Sequence, residues 1–283
     1  MPVSLPPALE LSLELLRCPT CRTRRLRPDR GALRCPVGHT FDIARHGYVG
    51  LLTGTRATSG DDATMVQARN RFLSTGTYGP IRNVGARLAA DAVAEKATVV
   101  DVGCGTGYYL AGVLDQLPGA RGLGLDTSVR ALRSAARAHE RAAAVAWDVF
   151  RPFPLADGVA DVVLDVFAPR NPAEFHRVLR PTGRLIVVRP TEWHLAELRN
   201  RLPAMVTIDP AKEQRLHRAL APFFEGTVTE QVEYTAPLTR LDALDLVAMT
   251  PSARHVSRVD LTDDGLLPDQ ITVSVLATAY QPR

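Results

Sequence analysis

The run Val99-Val100-Asp101-Val102-Gly103-Cys104-Gly105-Thr106-Gly107-Tyr108-Tyr109 constrains the fold of this 283-residue chain more than any other segment. It reads as a strand, a glycine-rich turn and the start of a helix. Glycine lets the backbone turn sharply and come close to a ligand without a Cβ clash. The helix start then offers unpaired N–H groups. Asp126 closes a second apolar run at residues 122–125, where a carboxylate can accept hydrogen bonds from ribose hydroxyls. Short β-rich runs follow the same rhythm at 97–102, 143–147, 159–166 and 184–188. Helical patterns lie between them at 109–116, 128–140 and 172–179, and late strands at 228–234 and 271–280 flank a helix at 242–248. Continuous apolar strands alternating with helices specify a doubly wound α/β domain, covered on both faces of its sheet.

The loop is Gly-x-Gly-x-Gly preceded by Asp101, not the dinucleotide pattern Gly-x-Gly-x-x-Gly. An ordinary tight turn and an NAD site are the competing readings. The form resembles motif I of class I S-adenosylmethionine-dependent methyltransferases, and it implies a Rossmann-like, mostly parallel sheet of seven strands. By that resemblance Asp101 anchors the loop, Gly103, Gly105 and Gly107 contact the methionyl and ribosyl parts, Asp126 binds the ribose and Asp148 meets the adenine. Cys104 reads as a small buried residue packing under the cofactor. Phe167-Ala168-Pro169 ends the fourth strand at the carboxyl edge, where such sheets bind ligands. Thr182-Gly183 stands where these enzymes usually carry Gly-Gly.

Near the N-terminus, Cys18-Pro19-Thr20-Cys21 is followed by Cys35-Pro36-Val37-Gly38-His39. Two turns each presenting a pair of donors supply the four tetrahedral ligands that Zn²⁺ favours. With four protein ligands, Cys18, Cys21, Cys35 and His39, no position stays open for water, so the site is structural. A disulfide is the competing reading, disfavoured in a chain without an export signal. The intervening residues 22–34 are expected to form a short hairpin. So small a module has little core, and the ion supplies much of its folding energy. His46 is read as a surface residue.

Three segments follow: residues 1–55 as the zinc module, 56–95 as a helical linker with patterns at 63–73 and 81–94, and 96–283 as the methyltransferase domain. Residues 1–60 hold nine Arg against four acidic residues, while the remainder is close to neutral, within a net charge of +4. A basic module suits a polyanion, although a solvated surface would look the same. No run of about 18 apolar residues exists, so no membrane span is expected. Met1 to Leu16 lacks a basic start and carries Glu10 and Glu14, so no signal peptide is read, and a cytoplasmic location is expected.

Taken together, these motifs resemble the RlmA family of 23S rRNA (guanine-N1)-methyltransferases over nearly the whole chain. Beyond the zinc ligands and the loop, the resemblance rests on Phe41-Asp42-Ile43-Ala44, Gly47-Tyr48-Val49-Gly50-Leu51-Leu52, Met65-Val66-Gln67-Ala68-Arg69, Gly76-Thr77-Tyr78, His194-Leu195-Ala196-Glu197-Leu198 and Met249-Thr250-Pro251. It implies that Tyr78 and His194 join Gly103, Cys104, Gly105, Thr106 and Gly107 in binding the cofactor. From the residues alone, Tyr78 would be a loop aromatic and His194 a helix-surface histidine. Phe167-Ala168-Pro169-Arg170-Asn171-Pro172 is closer to the actinobacterial, macrolide (tylosin)-resistance branch. The implied reaction is methyl transfer to N1 of a guanine in a 23S rRNA hairpin, by a homodimer whose cleft holds the RNA. Asp165, near the end of the fourth strand, is a tempting proton acceptor, but the family keeps no acid there and no catalytic base is assigned. One departure stands out: Ser252-Ala253-Arg254-His255 follows Pro251 where family members carry a Trp. It motivates an alternative, a small-molecule methyltransferase of secondary metabolism that retains the zinc module. A third reading is an RNA-binding protein with an inactive methyltransferase domain, against which the intact Gly103, Gly105, Gly107 and Asp126 stand.

Overall fold

The computed structural model describes residues 5–22, 25–53, 60–93, 96–202, 204–205, 211–254 and 267–283. Helix α1 (Pro7–Ser12) leads into the first pair of cysteines. Strands β1 (Arg27–Asp29), β2 (Ala32–Arg34) and β3 (Thr40–Asp42) then form a three-stranded antiparallel sheet. Asp29 pairs with Ala32 across the two-residue turn Arg30-Gly31, both at positive φ (45° and 84°). That is the geometry whose twist matches a β-hairpin, so the hairpin expected between the two ligand pairs is present. Leu26, Ala32, Leu33 and Phe41 are among its buried apolar side chains.

Strand β4 (Val49–Gly50) leaves this small sheet and pairs in parallel with β7 (Ala142–Ala146), through Val49↔Val145 and Gly50↔Ala146. The helices α2 (Ala63–Ser74) and α3 (Gly79–Ala90) come next, near the two expected stretches. Asp62 caps α2 by accepting from the Met65 amide at 2.9 Å, and Pro80 occupies the first turn of α3, where its missing N–H costs nothing. Ala94, the last residue of the second expected helix, lies outside the described residues, as do 54–59 of the linker loop and His255 of the segment after Pro251.

The large sheet has eight strands. Besides β4 and β7 these are β5 (Thr98–Val102), β6 (Arg121–Asp126), β8 (Ala160–Val166), β9 (Leu179–Pro190), β10 (Phe224–Pro237) and β11 (Gln270–Pro282). Their order is β10-β11-β9-β8-β5-β6-β7-β4. The seven-strand frame implied by the loop is present in full, and β4 extends it at one edge. All pairings from β9 to β4 are parallel, and β11 is antiparallel to both β9 and β10. Helices α4 (Tyr108–Gln116), α5 (Val129–Ala135), α6 (Pro172–Val178), α7 (Ala196–Arg201), α8 (Ala211–Leu220) and α9 (Arg240–Ala248) complete the chain.

Apolar packing explains the layering. One face of the sheet buries Val99, Val162, Leu164 and Ile186 with Phe72, Ile81, Leu110 and Leu246 from α2, α3, α4 and α9. The other buries Val100, Leu123, Val163 and Val187 with Leu9 of α1, Phe175 of α6 and Leu33 and Phe41 of the small sheet. The ribbon's few apolar side chains thus share one continuous cluster with the large sheet, which offsets their small number. Leu16 bridges Leu155, a further tie between the two parts. No helix among the described residues is long and apolar enough to cross a membrane.

Candidate cofactor cavity and zinc centre

Strand order reverses beside β5, because β6 follows it on one side and β8 lies on the other. The carboxyl ends of β5 and β8 therefore open into a crevice, the position at which doubly wound sheets bind ligands. The two chain segments meet there closely. A Cβ added to Gly103 (φ +71°) would lie 2.6 Å from the Ala168 methyl group, so glycine is required both for the conformation and for the approach. Gly105 and Gly107 also have positive φ, at 52° and 82°. Cys104 is buried, its sulfur packed over Gly124, which matches its reading as a small filler.

A cavity of about 530 Å³ opens above this turn. Gly103, Cys104, Gly105 and Thr106 line it from the loop, Asp126 from the end of β6, and Asp148 from the segment after β7. Tyr78 and His194 line the opposite side. Two of the expected residues sit behind the wall. Gly107 closes against Ala135 and Ala138 of the α5 region. Asp101 is buried beneath the turn, and its Oδ2 has no hydrogen-bond partner. Burial, then the nearby charges of Asp165 and Asp126, push the Asp101 carboxyl well above its usual range.

Asp126 holds the loop in shape. Its Oδ2 accepts from the Gly105 amide at 2.8 Å and its Oδ1 from the Ser128 amide at 2.7 Å. Burial raises its pKa, and those two donors pull against the rise. Each carboxylate oxygen keeps a second lone pair. Asp148 Oδ1 similarly accepts from the Phe150 amide at 3.0 Å.

The Tyr78 and His194 pair is built from distant parts of the chain. Tyr78 is not a loop aromatic: it is buried, caps the start of α3, and packs edge-on against Phe72 with ring centroids 5.1 Å apart. His194 is likewise buried and precedes α7 in a turn. Its Nδ1 accepts from the Ser274 amide of β11 at 3.2 Å. The ring proton of the neutral imidazole is thereby placed on Nε2, which lies 3.2 Å from the Tyr78 hydroxyl. Nε2 donates and the tyrosine oxygen accepts, which frees the phenolic hydrogen for another acceptor. Burial, aided by the Arg199 charge, lowers the His194 pKa to about 4 and keeps the ring neutral.

Phe167 lies at the carboxyl edge as expected, but its strain, and the places of Arg69 and Arg199 in the wall, have no sequence signal. Phe167 adopts φ +57° and is 39% exposed. An aromatic residue in the left-handed region is a strained position that surrounding contacts must enforce. Here the ring stacks on His194 (5.7 Å, 26°) and meets Tyr109 edge-on at 6.3 Å. Arg69 of α2 also lines the cavity, donating to the Met249 carbonyl at 2.7 Å and pairing with Asp61 at 2.6 Å. Arg199 donates to the carbonyls of His194 and Glu192 and fixes the turn that carries His194. Asp165 is fully buried behind the wall and pairs at 3.2 Å with Nε of Arg170, which itself lines the cavity.

At the ribbon, the donor atoms of Cys18, Cys21, Cys35 and His39 all lie within 4.8 Å of one another. Cys35 Sγ and Cys18 Sγ are 3.3 and 3.5 Å from His39 Nδ1, and Cys21 Sγ is 4.0 Å from Cys35 Sγ. A tetrahedral ion with bonds of about 2.0–2.3 Å has edges of this length. The turns match: Arg22 and Gly38 hold positive φ (61° and 103°), Arg22 N donates to Cys18 O, and Gly38 N to Cys35 O. Burial raises the Cys35 thiol, but donation from the His39 and Val37 amides outweighs it and holds the group at about 6. The donor set and its spacing fit zinc, and His46 stands outside it.

The sheet order, the glycine turn and the cavity define an S-adenosylmethionine-dependent methyltransferase that carries an N-terminal zinc ribbon. Comparison with known proteins narrows this. The family model described as "RlmA, N-terminal" matches residues 16–56, and that described as "Methyltransferase domain" matches 99–183. The 23S rRNA (guanine(748)-N(1))-methyltransferase of Streptomyces fradiae is 46% identical over 94% of this chain and 96% of its own. A Micromonospora griseorubida protein named as a 23S rRNA (guanine-N(1)-)-methyltransferase is 45% identical over 94% and 97%. YxjB of Bacillus subtilis is 36% identical over 68% of this chain and 70% of its own. The chain belongs to the RlmA family of 23S rRNA (guanine-N1)-methyltransferases, and its identity to the two actinobacterial members exceeds that to the Bacillus one. Among solved structures, a methyltransferase from an antibiotic biosynthesis pathway of Anabaena variabilis has a TM-score of 0.52 at 15% identity, covering 71% of this chain and 96% of its own. The methyltransferase bound to the Haloferax volcanii Trm112 activator has 0.50 at 20%, covering 79% and 97%. Both show the fold alone.

Proposed function

We propose that this protein transfers a methyl group from S-adenosylmethionine to N1 of a guanine in a 23S rRNA hairpin. The observation that carries the reading is the ribbon packed into the same apolar cluster as the catalytic sheet, in a chain 46% identical to an enzyme named for that reaction. Cys18, Cys21, Cys35 and His39 hold the structural zinc.

When bound, the cofactor supplies an electrophilic sulfonium methyl group, so the protein's main task is in-line placement. Asp126 receives the ribose through its free lone pairs, and Asp148 meets the adenine. Gly103 and Gly105 let the backbone approach, and Asp101 supports the turn from beneath, behind the cavity wall. Tyr78 donates its freed hydroxyl hydrogen at the methionyl end, held there by His194. The target base must leave its stack to reach the cavity, and the exposed ring of Phe167 at the mouth offers it a π-face. The basic ribbon holds phosphates and positions the hairpin without reading its sequence. Guanine N1 must also lose its proton. Asp165 is excluded from that role by its burial and its Arg170 partner, and no residue is assigned to it. A homodimer and a cytoplasmic site of action follow from the family resemblance. The test is incubation with methyl-labelled S-adenosylmethionine and an unmodified transcript of the hairpin that contains guanine 748, the position named for the Streptomyces fradiae relative. Label in the RNA supports the reading, and its absence with zinc-loaded, cofactor-binding protein overturns it.

A further inference from the structure

Cations gather where the ribbon's exit loop meets α5, apart from both sites above. Arg45 and His46 lie in the turn between β3 and β4, and Arg45 Nε is 3.3 Å from His46 Nε2. That turn rests on the end of α5: a Cβ on Gly47 (φ +94°) would lie 3.5 Å from the Ala136 methyl group, and Tyr48 packs against the cluster containing Leu132, Ala135 and Ala136. The contact brings Arg133 and Arg137 toward the loop. Burial and then the charges of Arg133, Arg45 and Arg137 lower the His46 pKa, and no carboxylate counters them. Among the described residues none of Arg45, Arg133 and Arg137 takes part in an ion pair. Arg133 Nε is buried without a hydrogen-bond partner.

Most other arginines near the sheet are neutralised: Arg121 by Glu14, Arg177 by Glu174 and Asp157, Arg180 by Asp161. Like charges brought together without a counter-ion repel, and the patch is relieved by an anion placed among them. A planar guanidinium pairs two oxygens of a phosphate at once. Ser128, the cap at the opposite end of α5, follows Asp126 and Thr127 on the cavity wall, so this helix runs from the patch to the cavity's ribose side.

We propose that Arg45, Arg133 and Arg137 form a phosphodiester-binding patch that bridges the zinc ribbon and α5 and sets the register of the RNA backbone against the cofactor cavity. This rests on the proposed rRNA substrate. Because the patch is shared by two parts of the chain, a strand gripped by it is positioned relative to both at once.

The test uses full-length zinc-loaded protein, the guanine 748 hairpin transcript, and the triple variant R45Q/R133Q/R137Q. Three lost phosphate contacts reduce the slope of log K against log salt by about two to three. At moderate salt the KM for RNA rises at least about tenfold, while kcat stays within about twofold and S-adenosylmethionine affinity is unchanged, as expected for lost backbone contacts. Arg218→Gln on α8, beside β9 and three strands from β6, leaves the slope as in the wild type. Arg133 is half-buried, so the double variant R45Q/R137Q, at two exposed positions, guards against misfolding and reduces the slope by about two-thirds as much. An unchanged slope and KM in the double variant overturns the patch while wild-type methylation continues. If the wild type binds the hairpin without methylating it and the variants still lose slope, the patch stands and the assigned reaction falls.

Discussion

Tyr78 and His194, 116 residues apart in sequence, share a 3.2 Å hydrogen bond on the wall of the cofactor cavity. The Ser274 amide fixes the imidazole tautomer, so the proton on Nε2 goes to the tyrosine oxygen. Tyr78→Phe leaves that buried N–H without a partner and removes the hydroxyl donor. The expected cost in S-adenosylmethionine affinity is about 1–3 kcal/mol, or roughly 5- to 150-fold in Kd by calorimetry. An unchanged Kd would show that the pair does not serve the cofactor.

The same histidine gives the protein an acid-sensitive element. Its folded pKa is lowered to about 4, first by burial and then by Arg199, below the usual value of about 6.5. Between these values the unfolded chain takes up a proton that the folded one refuses, so stability is complete above about pH 6.5 and is lost as pH falls toward 4. Over that window the contribution is at most about 3 kcal/mol. Denaturant titrations at pH 7 and pH 5 should show His194→Gln losing less stability on acidification than the wild type. Parallel losses would contradict the assignment.

Gly103 and Gly105 both sit at positive φ but differ in surroundings. A Cβ at Gly103 meets the Ala168 methyl group at 2.6 Å, whereas one at Gly105 meets the flexible Arg69 side chain at 3.4 Å. Gly105→Ala should cost about 1 kcal/mol from backbone strain, and Gly103→Ala about 2–4 kcal/mol, because overpacking adds to that strain. Chemical denaturation without cofactor measures both. Equal costs would mean that the β8 segment yields freely.

Phe167 tests the path of the base. Phe167→Leu keeps an apolar side chain but loses the ring face. Base stacking on an aromatic ring is worth about 1–3 kcal/mol, so kcat/KM for RNA should fall roughly tenfold while cofactor affinity falls less. A larger loss in cofactor affinity than in RNA turnover would assign the ring to the cofactor alone.

Metal removal should act on the ribbon first. Its own buried apolar side chains are few, including Leu26, Leu33 and Phe41. Chelation, or Cys35→Ala, should remove about one zinc per chain, unfold β1–β3 and abolish RNA binding. Because Leu33 and Phe41 share a cluster with the sheet, the melting temperature of the whole chain should also fall. Retained RNA affinity in zinc-free protein would separate the ribbon from recognition.

What could be read in the sequence was local. The Gly103–Gly107 turn and the Cys18–His39 pairs each announce a conformation and a chemistry within a few residues. Strands such as β5 and β8 were legible as continuous apolar runs. The strand β4 was not, because two residues, Val49 and Gly50, carry no periodicity and are strand through their pairing with β7 and the bridge of Val49 to Ile43. Tyr78 and His194 came into view only through the family resemblance, since their meeting depends on β11 supplying Ser274 from the far end of the chain. The strain at Phe167 has no sequence signal, since φ there is imposed by the packing of Tyr109 and His194 around it.

The central claim, N1-methylation of a guanine in 23S rRNA, is tested most directly by mass spectrometry of nuclease fragments from unmodified 23S rRNA incubated with this protein and S-adenosylmethionine. The account predicts 1-methylguanosine in the 23S rRNA, formed by the wild type and lost in Tyr78→Phe or zinc-free protein in step with their binding defects. Unmethylated rRNA, or methylation at a position other than guanine N1, would contradict it.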